Sequence, residues 1–522
     1  MTLIGTVPAG LAASAARIGN ASTVLTDEQV SAFIAEQLGA YPFDGRSVCV
    51  LVPDGTRTCP LPLLMRAVHG ALHGRASRLT VLIALGTHPP MSEEALSRHL
   101  GYPSGRLAET YPGTTVVNHE WWKAETFAHL GTVPASRVTE LSEGRLTAEV
   151  PVLLNRAVVE HDIALVVGPV LPHEVVGMSG GNKYFFPGVG GKRIIDVSHW
   201  LGALITSAEI IGTTGLTPVR ALIDDGAALI PAEKLALSVV TADTADRIED
   251  SAVDDAVPAS PGGPVAVPPG GAVPTPSHGS VSASSGGPVP VPPGGSVPTL
   301  SGGVVPTLSR GASPVPLDGG SPVPSGGMVP GPSHGALHSV SFGDTRASWA
   351  SAAEVCAATH VTYLAAPVRR VLSVVPPMYD EIWTAAKGFY KVEPVVADGG
   401  EVILFAPHVT ELSSTHPEIH DIGYHCRDYF VAQWDRFAAI PWGVLAHSTH
   451  LRGAGTYDPR TGEERLRVRV TLATAIPESV CRAANLGYRD PSTIDPAAYA
   501  RDPETLVVPR AGETLFRLDP SA

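Results

Sequence analysis

Six side chains able to do acid–base or ligand chemistry stand directly after apolar runs in this sequence. Asp54 and Arg57 follow Val48–Val52, His88 follows Leu79–Leu85, and His173, Lys183 and His199 follow Ile163–Val167. His88 and His173 can each act as general acid or base, because histidine titrates near neutral pH. Facing each other across a substrate, they would allow proton removal from either of two mirror-image molecules. Lys183 could serve as a covalent amine or as a phosphate partner. The imidazole of His199 suits nickel, zinc, copper or iron. One histidine cannot hold a metal unaided, so most of the ligands would come from a cofactor. Gly177, Gly180, Gly181, Gly188, Gly190 and Gly191 lie among these residues. Glycine at that density lets backbone approach a ligand closely, and a row of N–H groups suits a phosphate or another anion.

The elements that must position these residues read as alternating strands and helices. Val48–Val52 and Leu79–Leu85 are short β-rich runs, and Ile163–Val167 is a third. Asp27–Leu38 reads as a helix after Thr26 as N-cap, and Pro60–Leu72 as a helix with proline in its first turn. A further helix starts at Ser92, with Glu93 and Glu94 where the helix dipole favours them. Thr115–Val117 is a short strand candidate, and Ala148–Glu160 is expected to be helical with Pro151 in its first turn. The alternation predicts an α/β fold: a doubly wound parallel sheet covered on both faces. In such sheets ligands bind outside the carboxyl ends of the strands, which is where Asp54, His88 and His173 stand.

The whole chain of 522 residues carries 36 Lys+Arg and 50 Asp+Glu, a formal net charge of −14. That length suggests two or three domains, and the charge argues for a soluble protein and against nucleic acid as main partner. No apolar run approaches the roughly 18–20 residues needed to span a bilayer, and no signal peptide is expected from the Ala-rich N-terminus. Cys49, Cys59, Cys356, Cys426 and Cys481 are scattered, without a disulfide framework or zinc spacing. A cytoplasmic location is expected.

From Asp254 to about His338 proline, glycine, serine and valine dominate. Gly262–Gly279 recurs in altered form as Gly286–Gly303. Such composition buries too little apolar surface to offset chain entropy, so a disordered or polyproline-like insertion is expected. The expected division is a cofactor-binding α/β domain over 1–253, the insertion over 254–338, and a smaller α/β substrate domain over 339–522, with the active site between the folded domains. In the last, Ala352–Ala358 and Tyr379–Phe389 read as helices, with Trp383 and Lys387 one turn apart. Gly423–Phe437 reads as an aromatic-rich helix. Arg370–Val375, Glu401–Ala406, Arg465–Ala475 and Thr505–Pro509 read as strands, the last of them free to join either sheet. Val444–Ala446 is expected to be a short strand before His447, His450 and Arg452.

At these residues the sequence resembles the nickel-dependent lactate racemase family. The matching pieces are Asp54-Gly-Thr-Arg57 with Pro60, Gly86-Thr-His88 with Pro90-Met-Ser-Glu-Glu, Pro172-His173, Gly177-Met-Ser-Gly-Gly-Asn-Lys183 and Ser198-His199, with Asn118-His119 a weaker one. The resemblance implies a nickel-pincer nucleotide, a pyridinium mononucleotide with two sulfur-containing arms. In that family nickel is held by both sulfurs, a ring carbon and one histidine, and a thioamide tethers the cofactor to a lysine. Carried over, His199 is the nickel ligand, Lys183 the tether, and His88 and His173 the paired acid and base. Asp54, Thr56, Gly180 and Gly181 fall in the cofactor shell, and Arg57, Lys387 and Trp383 in the substrate shell. The implied reaction is inversion at C2 of a 2-hydroxy acid by proton-coupled hydride transfer through a 2-keto acid. Partners would be that small molecule and, transiently, cofactor-making enzymes, with neither nucleic acid nor membrane.

The second domain departs from lactate-type sequences, which carry a Tyr-Gln pair four and three residues before the matching lysine. Trp383 and Thr384 stand there instead. The segment His447-Ser-Thr-His450-Leu-Arg452 also differs. A substrate other than lactate, such as a sugar acid like gluconate, is therefore expected. The alternatives are a lactate racemase proper, or a paralogue that binds a nucleotide or anion without turnover.

Overall fold

A computed structural model describes residues 10–242 and 336–519. The larger sheet runs, edge to edge, through Ala16–Gly19, Leu337–Asp344, Glu233–Thr241, Ile163–Pro169, Ser47–Pro53, Arg78–Ala84 and Thr114–Asn118. The five strands from Glu233–Thr241 to Thr114–Asn118 are parallel, and Leu337–Asp344 is antiparallel to both its neighbours.

Alternate residues of single strands feed two different cores, so both faces of this sheet are covered. Val48, Val50 and Val52 pack with Val30, Phe33, Ile34 and Leu38 of the helix Asp27–Ala40, whereas Cys49 and Leu51 pack with Val197, Trp200 and Leu201 of the helix Lys192–Ile205. A strand buried on both faces reads as a continuous apolar run, and Ser47–Pro53 does. The helix starts follow their caps: Thr26 and Gln29 form a capping box, and Ser92 accepts the N–H of Ala95.

The smaller sheet is wholly parallel. Its order is Gly487–Tyr488, Arg469–Thr474, Val396–Ala406, Val368–Val374 and Thr505–Val508. Val371, Val402, Leu404, Val470 and Leu472 from it join the same core that lies beneath the helix Lys192–Ile205, so the two lobes share one apolar interior.

Several expectations are corrected. Residues 148–160 are not one helix: Val150–Asn155 is a strand paired with Phe127–Val133, followed by the helical turn Arg156–Val159. Val150, Val152 and Leu154 are buried in alternation, and Asn155 caps the turn. Val444–Ala446 is not a strand but the interior of the helix Trp442–Arg452; three apolar residues carry no period to distinguish the two. The helix expected over 379–389 is two turns, Ile382–Ala385 and Lys387–Tyr390, and that over 423–437 is Arg427–Ala432 and Trp434–Phe437. The second lobe does not begin at 339, because Leu337–Asp344 and the helix Thr345–Thr359 pack on the first sheet. Thr505–Val508 joins the second sheet, and the last strand, Leu515–Leu518, pairs with Val361–Leu364 instead of returning to the first sheet.

Apart from its last three residues, the expected insertion lies outside the described residues. All five cysteines are buried and free. Among the described residues no helix is long and apolar enough to cross a membrane.

Candidate functional site

Ser47–Pro53 and Ile163–Pro169 are neighbours in the larger sheet, yet the chain leaves them toward opposite edges. Such a reversal opens a crevice at the strand ends. A cavity of about 630 Å³ lies there, closed on its far side by the second lobe. Asp54, Thr56, Arg57, His88, His173, Gly180, Lys183 and His199 line it from the first lobe, and Trp383 and Lys387 from the second. Gly181 backs the same loop. The sequence candidates thus stand around one chamber.

His88 and His173 differ in how they are held. Asp54, 6% exposed, accepts the Nδ1–H of His88 as well as the N–H (3.1 Å) and hydroxyl (2.6 Å) of Thr56. Burial alone would raise the Asp54 carboxyl; the charge and hydrogen bond of His88, the Thr56 bond and Arg57 outweigh it and keep the group ionised far below its usual range. With Nδ1 donating to a carboxylate, Nε2 is the nitrogen of His88 left for a substrate. His173 is the reverse: the Val175 N–H donates to its Nδ1 at 3.1 Å, so in the neutral ring Nε2 carries the proton. Burial, then the charges of Lys183, Arg57 and His199, push His173 well below its ordinary value. Glu174 Oε2 lies 3.4 Å from the same Nδ1, but a neutral ring that accepts from backbone makes no ion pair with it.

Lys183 sits in the short turn Gly181–Tyr184. Gly180 (φ +84°) and Gly181 (φ +58°) enter it in the left-handed region, and a Cβ on Gly181 would lie 2.8 Å from Trp349 Cβ. Only glycine fits that approach. Burial and Arg57 bring the Lys183 ammonium down to about 8, within reach of a nucleophilic amine near neutral pH. His199 lies on the helix Lys192–Ile205, and its Nδ1 bonds the Ile195 carbonyl at 2.7 Å. A carbonyl only accepts, so Nδ1 holds the proton and Nε2 is free to donate a lone pair.

The second lobe contributes a column of rings. Trp383 lies between His416 and His447, with ring centroids 4.0 and 3.9 Å away. His416 Nε2 meets Thr87 Oγ1 at 3.1 Å, one residue before His88. His447 and His450 are three apart on the helix Trp442–Arg452 and both line the cavity. His450 Nδ1 bonds Ser207 Oγ, and its buried Nε2 has no partner among the described residues. Lys387, 7% exposed, lies 4.7 Å over the Tyr379 ring, and burial, with Arg57 adding to it, holds its ammonium well below the usual lysine value.

Glu174, Tyr184, Tyr390 and His416 line the cavity without having been singled out from sequence. Only Glu174, adjacent to His173, carried a local signal. Arg452 stands apart, 3.6 Å from Glu464. His119 is fully buried on Asn155, and His408 bonds the Tyr379 carbonyl; neither lines the cavity.

Residues 31–211 match the family described as the lactate racemase N-terminal domain. The lactate racemase of Lactiplantibacillus plantarum is 26% identical over 157 residues, and that of Thermoanaerobacterium thermosaccharolyticum 25% over 158. These matches span 29% and 30% of this chain and 32% of each relative, about a third of their length. A crystal structure of a Thermotoga maritima protein is similar along nearly the whole chain: 27% identity, TM-score 0.73, covering 95% of this chain and 99% of that one. The lactate racemase apoprotein of Thermoanaerobacterium thermosaccharolyticum shares the fold at 13% identity and TM-score 0.59, over 95% and 94% of the two chains. Every first-lobe candidate from Asp54 to His199 lies inside the matched residues 31–211, whereas Trp383, Lys387, His416, His447 and His450 lie beyond them.

Proposed function

We propose that this protein is a racemase or epimerase that inverts C2 of a 2-hydroxy acid through a 2-keto acid, by proton-coupled hydride transfer with a nickel-pincer nucleotide. The observation that carries the reading is that one cavity holds two histidines, His88 tied through Nδ1 to the Asp54 carboxylate and His173 through Nδ1 to the Val175 N–H. A neutral imidazole takes a hydroxyl proton and an imidazolium gives one, so two histidines in one chamber can serve either stereoisomer.

The residues fit the cofactor. Among the described residues no three His, Cys, Asp or Glu side chains are grouped to hold a metal ion, so a metal at His199 draws its other donors from a bound group. His199 offers Nε2, since Nδ1 is committed to the Ile195 carbonyl. Lys183 offers a buried amine of lowered pKa for the tether. Lys192, at the start of the helix Lys192–Ile205, lines the same cavity, where the first helical turn and the helix dipole suit the nucleotide phosphate. When bound, the group supplies a reversible acceptor for the C2 hydride.

The protein's own residues do the rest. Arg57 and Lys387 fix the carboxylate by charge-assisted hydrogen bonds. His88, steadied by Asp54, takes the hydroxyl proton of one stereoisomer. The planar keto acid is held between the lobes, and His173 returns a proton after the opposite face has been reduced. For the mirror-image substrate the two roles exchange. A substrate longer than lactate is supported by the wall of His416, Trp383, His447 and His450, whose imidazole nitrogens can bond further hydroxyls, as in a sugar acid such as gluconate.

The test is a panel of 2-hydroxy acids assayed for C2 inversion by protein co-expressed with the cofactor-making enzymes, using substrate deuterated at C2. Retention of the label with inversion is expected. Washout of the label into water would replace this chemistry with simple deprotonation at carbon, and the absence of inversion across the panel would remove the reading.

A further inference from the structure

Beneath the turn that carries Lys183 lies a second polar site with an unbalanced charge. Arg220, 2% exposed, projects from the helix Pro218–Ala227. Its guanidinium lies 3.7 Å from the Trp349 ring centroid, and Nη2 donates to the Met178 carbonyl. Its Nε is buried and meets no acceptor among the described residues, and the same holds for Nε1 of Trp349, itself 3% exposed. Both side chains border one small cavity of about 10 Å³, together with Asn182, Asp224 and Arg346.

Two buried N–H donors around one void call for an acceptor, because each has lost water without replacement. The charge says which kind. Arg220 forms no ion pair among the described residues: the nearby Asp224 carboxylate is engaged by Asn182 Nδ2 at 2.9 Å and by Arg346 Nε at 3.3 Å, a side chain that is 46% exposed. A buried charge without a contacting counterion is costly. A water molecule would accept both hydrogen bonds but leave that charge standing. A void of this size holds a single small species, which excludes sulfate, phosphate and carboxylates.

We propose that this cavity is a halide site that takes one chloride ion between Arg220 Nε–H and Trp349 Nε1–H. Burial lowers the Arg220 guanidinium to about 10, still fully charged at neutral pH. The ion braces the floor under the tether turn. Trp349 stands where a side chain on Gly181 would collide with it, and Asn182, next to Lys183, is tied to Asp224 and to Thr345 Oγ1 at 2.6 Å.

The experiment uses the full chain without cofactor. Its thermal midpoint is measured against sodium chloride and sodium bromide, with sodium acetate making up constant ionic strength, and crystals are grown in bromide. A saturable rise of about 2 °C or more in chloride and bromide is expected, with an anomalous bromine peak between the two nitrogens. Trp349→Phe keeps the ring and removes its N–H, and should flatten the halide response. Equal midpoints in chloride and acetate, an ordered water in place of bromide, or an undiminished response in Trp349→Phe would each overturn the site. If that variant does not fold, the bromide peak in the unaltered protein decides.

Discussion

His88 and His173 stand after Arg78–Ala84 and Ile163–Pro169, the two strands that flank Ser47–Pro53, and their Nδ1 atoms have opposite partners: the Asp54 carboxylate accepts from His88, and the Val175 N–H donates to His173. Replacing either histidine with asparagine should slow inversion in both directions by about 10²–10⁴-fold, the usual cost of losing positioned acid–base help. Asp54→Asn should also slow both directions, by about 10-fold or more, because an amide no longer fixes the His88 tautomer. Initial rates from each stereoisomer check this; full activity in both histidine variants would remove these residues from the chemistry.

Loading should separate two residues cleanly. Lys183→Ala should abolish any cofactor adduct in the intact mass, whereas His199→Ala should keep the adduct and lose nickel measured by elemental analysis. An adduct of unchanged mass in Lys183→Ala would refute the tether.

On the substrate side, Lys387→Ala should raise KM more than it lowers kcat, about 10-fold or more, since it removes one charge-assisted bond to the carboxylate. His450→Phe should spare short 2-hydroxy acids and weaken longer hydroxylated ones. Equal losses for both classes would take His450 out of substrate contact.

Acid should destabilise the cofactor-free protein in a defined window. Burial lowers His119 and His450 to about 4 from an ordinary 6.5. Above pH 6.5 both are neutral whether folded or not, and stability is unaffected. Below it the unfolded chain takes up protons that the folded chain refuses, so each residue lowers stability by up to about 1.4 kcal/mol per pH unit until the folded value is reached. Glu464 acts elsewhere: it is held at about 2 from 4.5, so its contribution is present above pH 4.5 and fades only below. Urea midpoints should therefore fall between pH 6.5 and 4.5, and His119→Gln with His450→Gln should reduce the slope there. A flat profile there would contradict the neutral burial of these rings.

The first lobe was legible because its strands are short apolar runs and the polar residues follow them at once, so the strand-end rule places Asp54, His88 and His173 without a tertiary model. The second lobe resisted. His416 lies in a loop without a period and meets the cavity beside Trp383 and Thr87, and His450 reaches it because Val444–Ala446 is helical, which three residues cannot announce. Leu337–Asp344 was missed as a strand for another reason. Its inward serines look like solvent-facing positions, but Ser341 is fully buried, and the Ser348 hydroxyl bonds both Ser238 Oγ at 2.8 Å and the Ser341 carbonyl at 2.9 Å. A hydroxyl network replaces apolar packing at that edge, and hydropathy does not register it.

The antiparallel pairing of Glu233–Thr241 with Leu337–Asp344 has a consequence for engineering. Thr241 and Leu337 are register partners, and the Ala242 N–H donates to the Ala336 carbonyl, so the chain departs from the sheet and re-enters it at one point. The two strands are thus joined as a hairpin whose described ends, Ala242 and Ala336, meet. Each doubling of such a connection costs only about 0.6 kcal/mol in closure entropy. That point is therefore a natural port: a tight turn, an affinity handle or a fluorescent reporter domain spliced between 242 and 336 should leave the pairing of the two strands undisturbed.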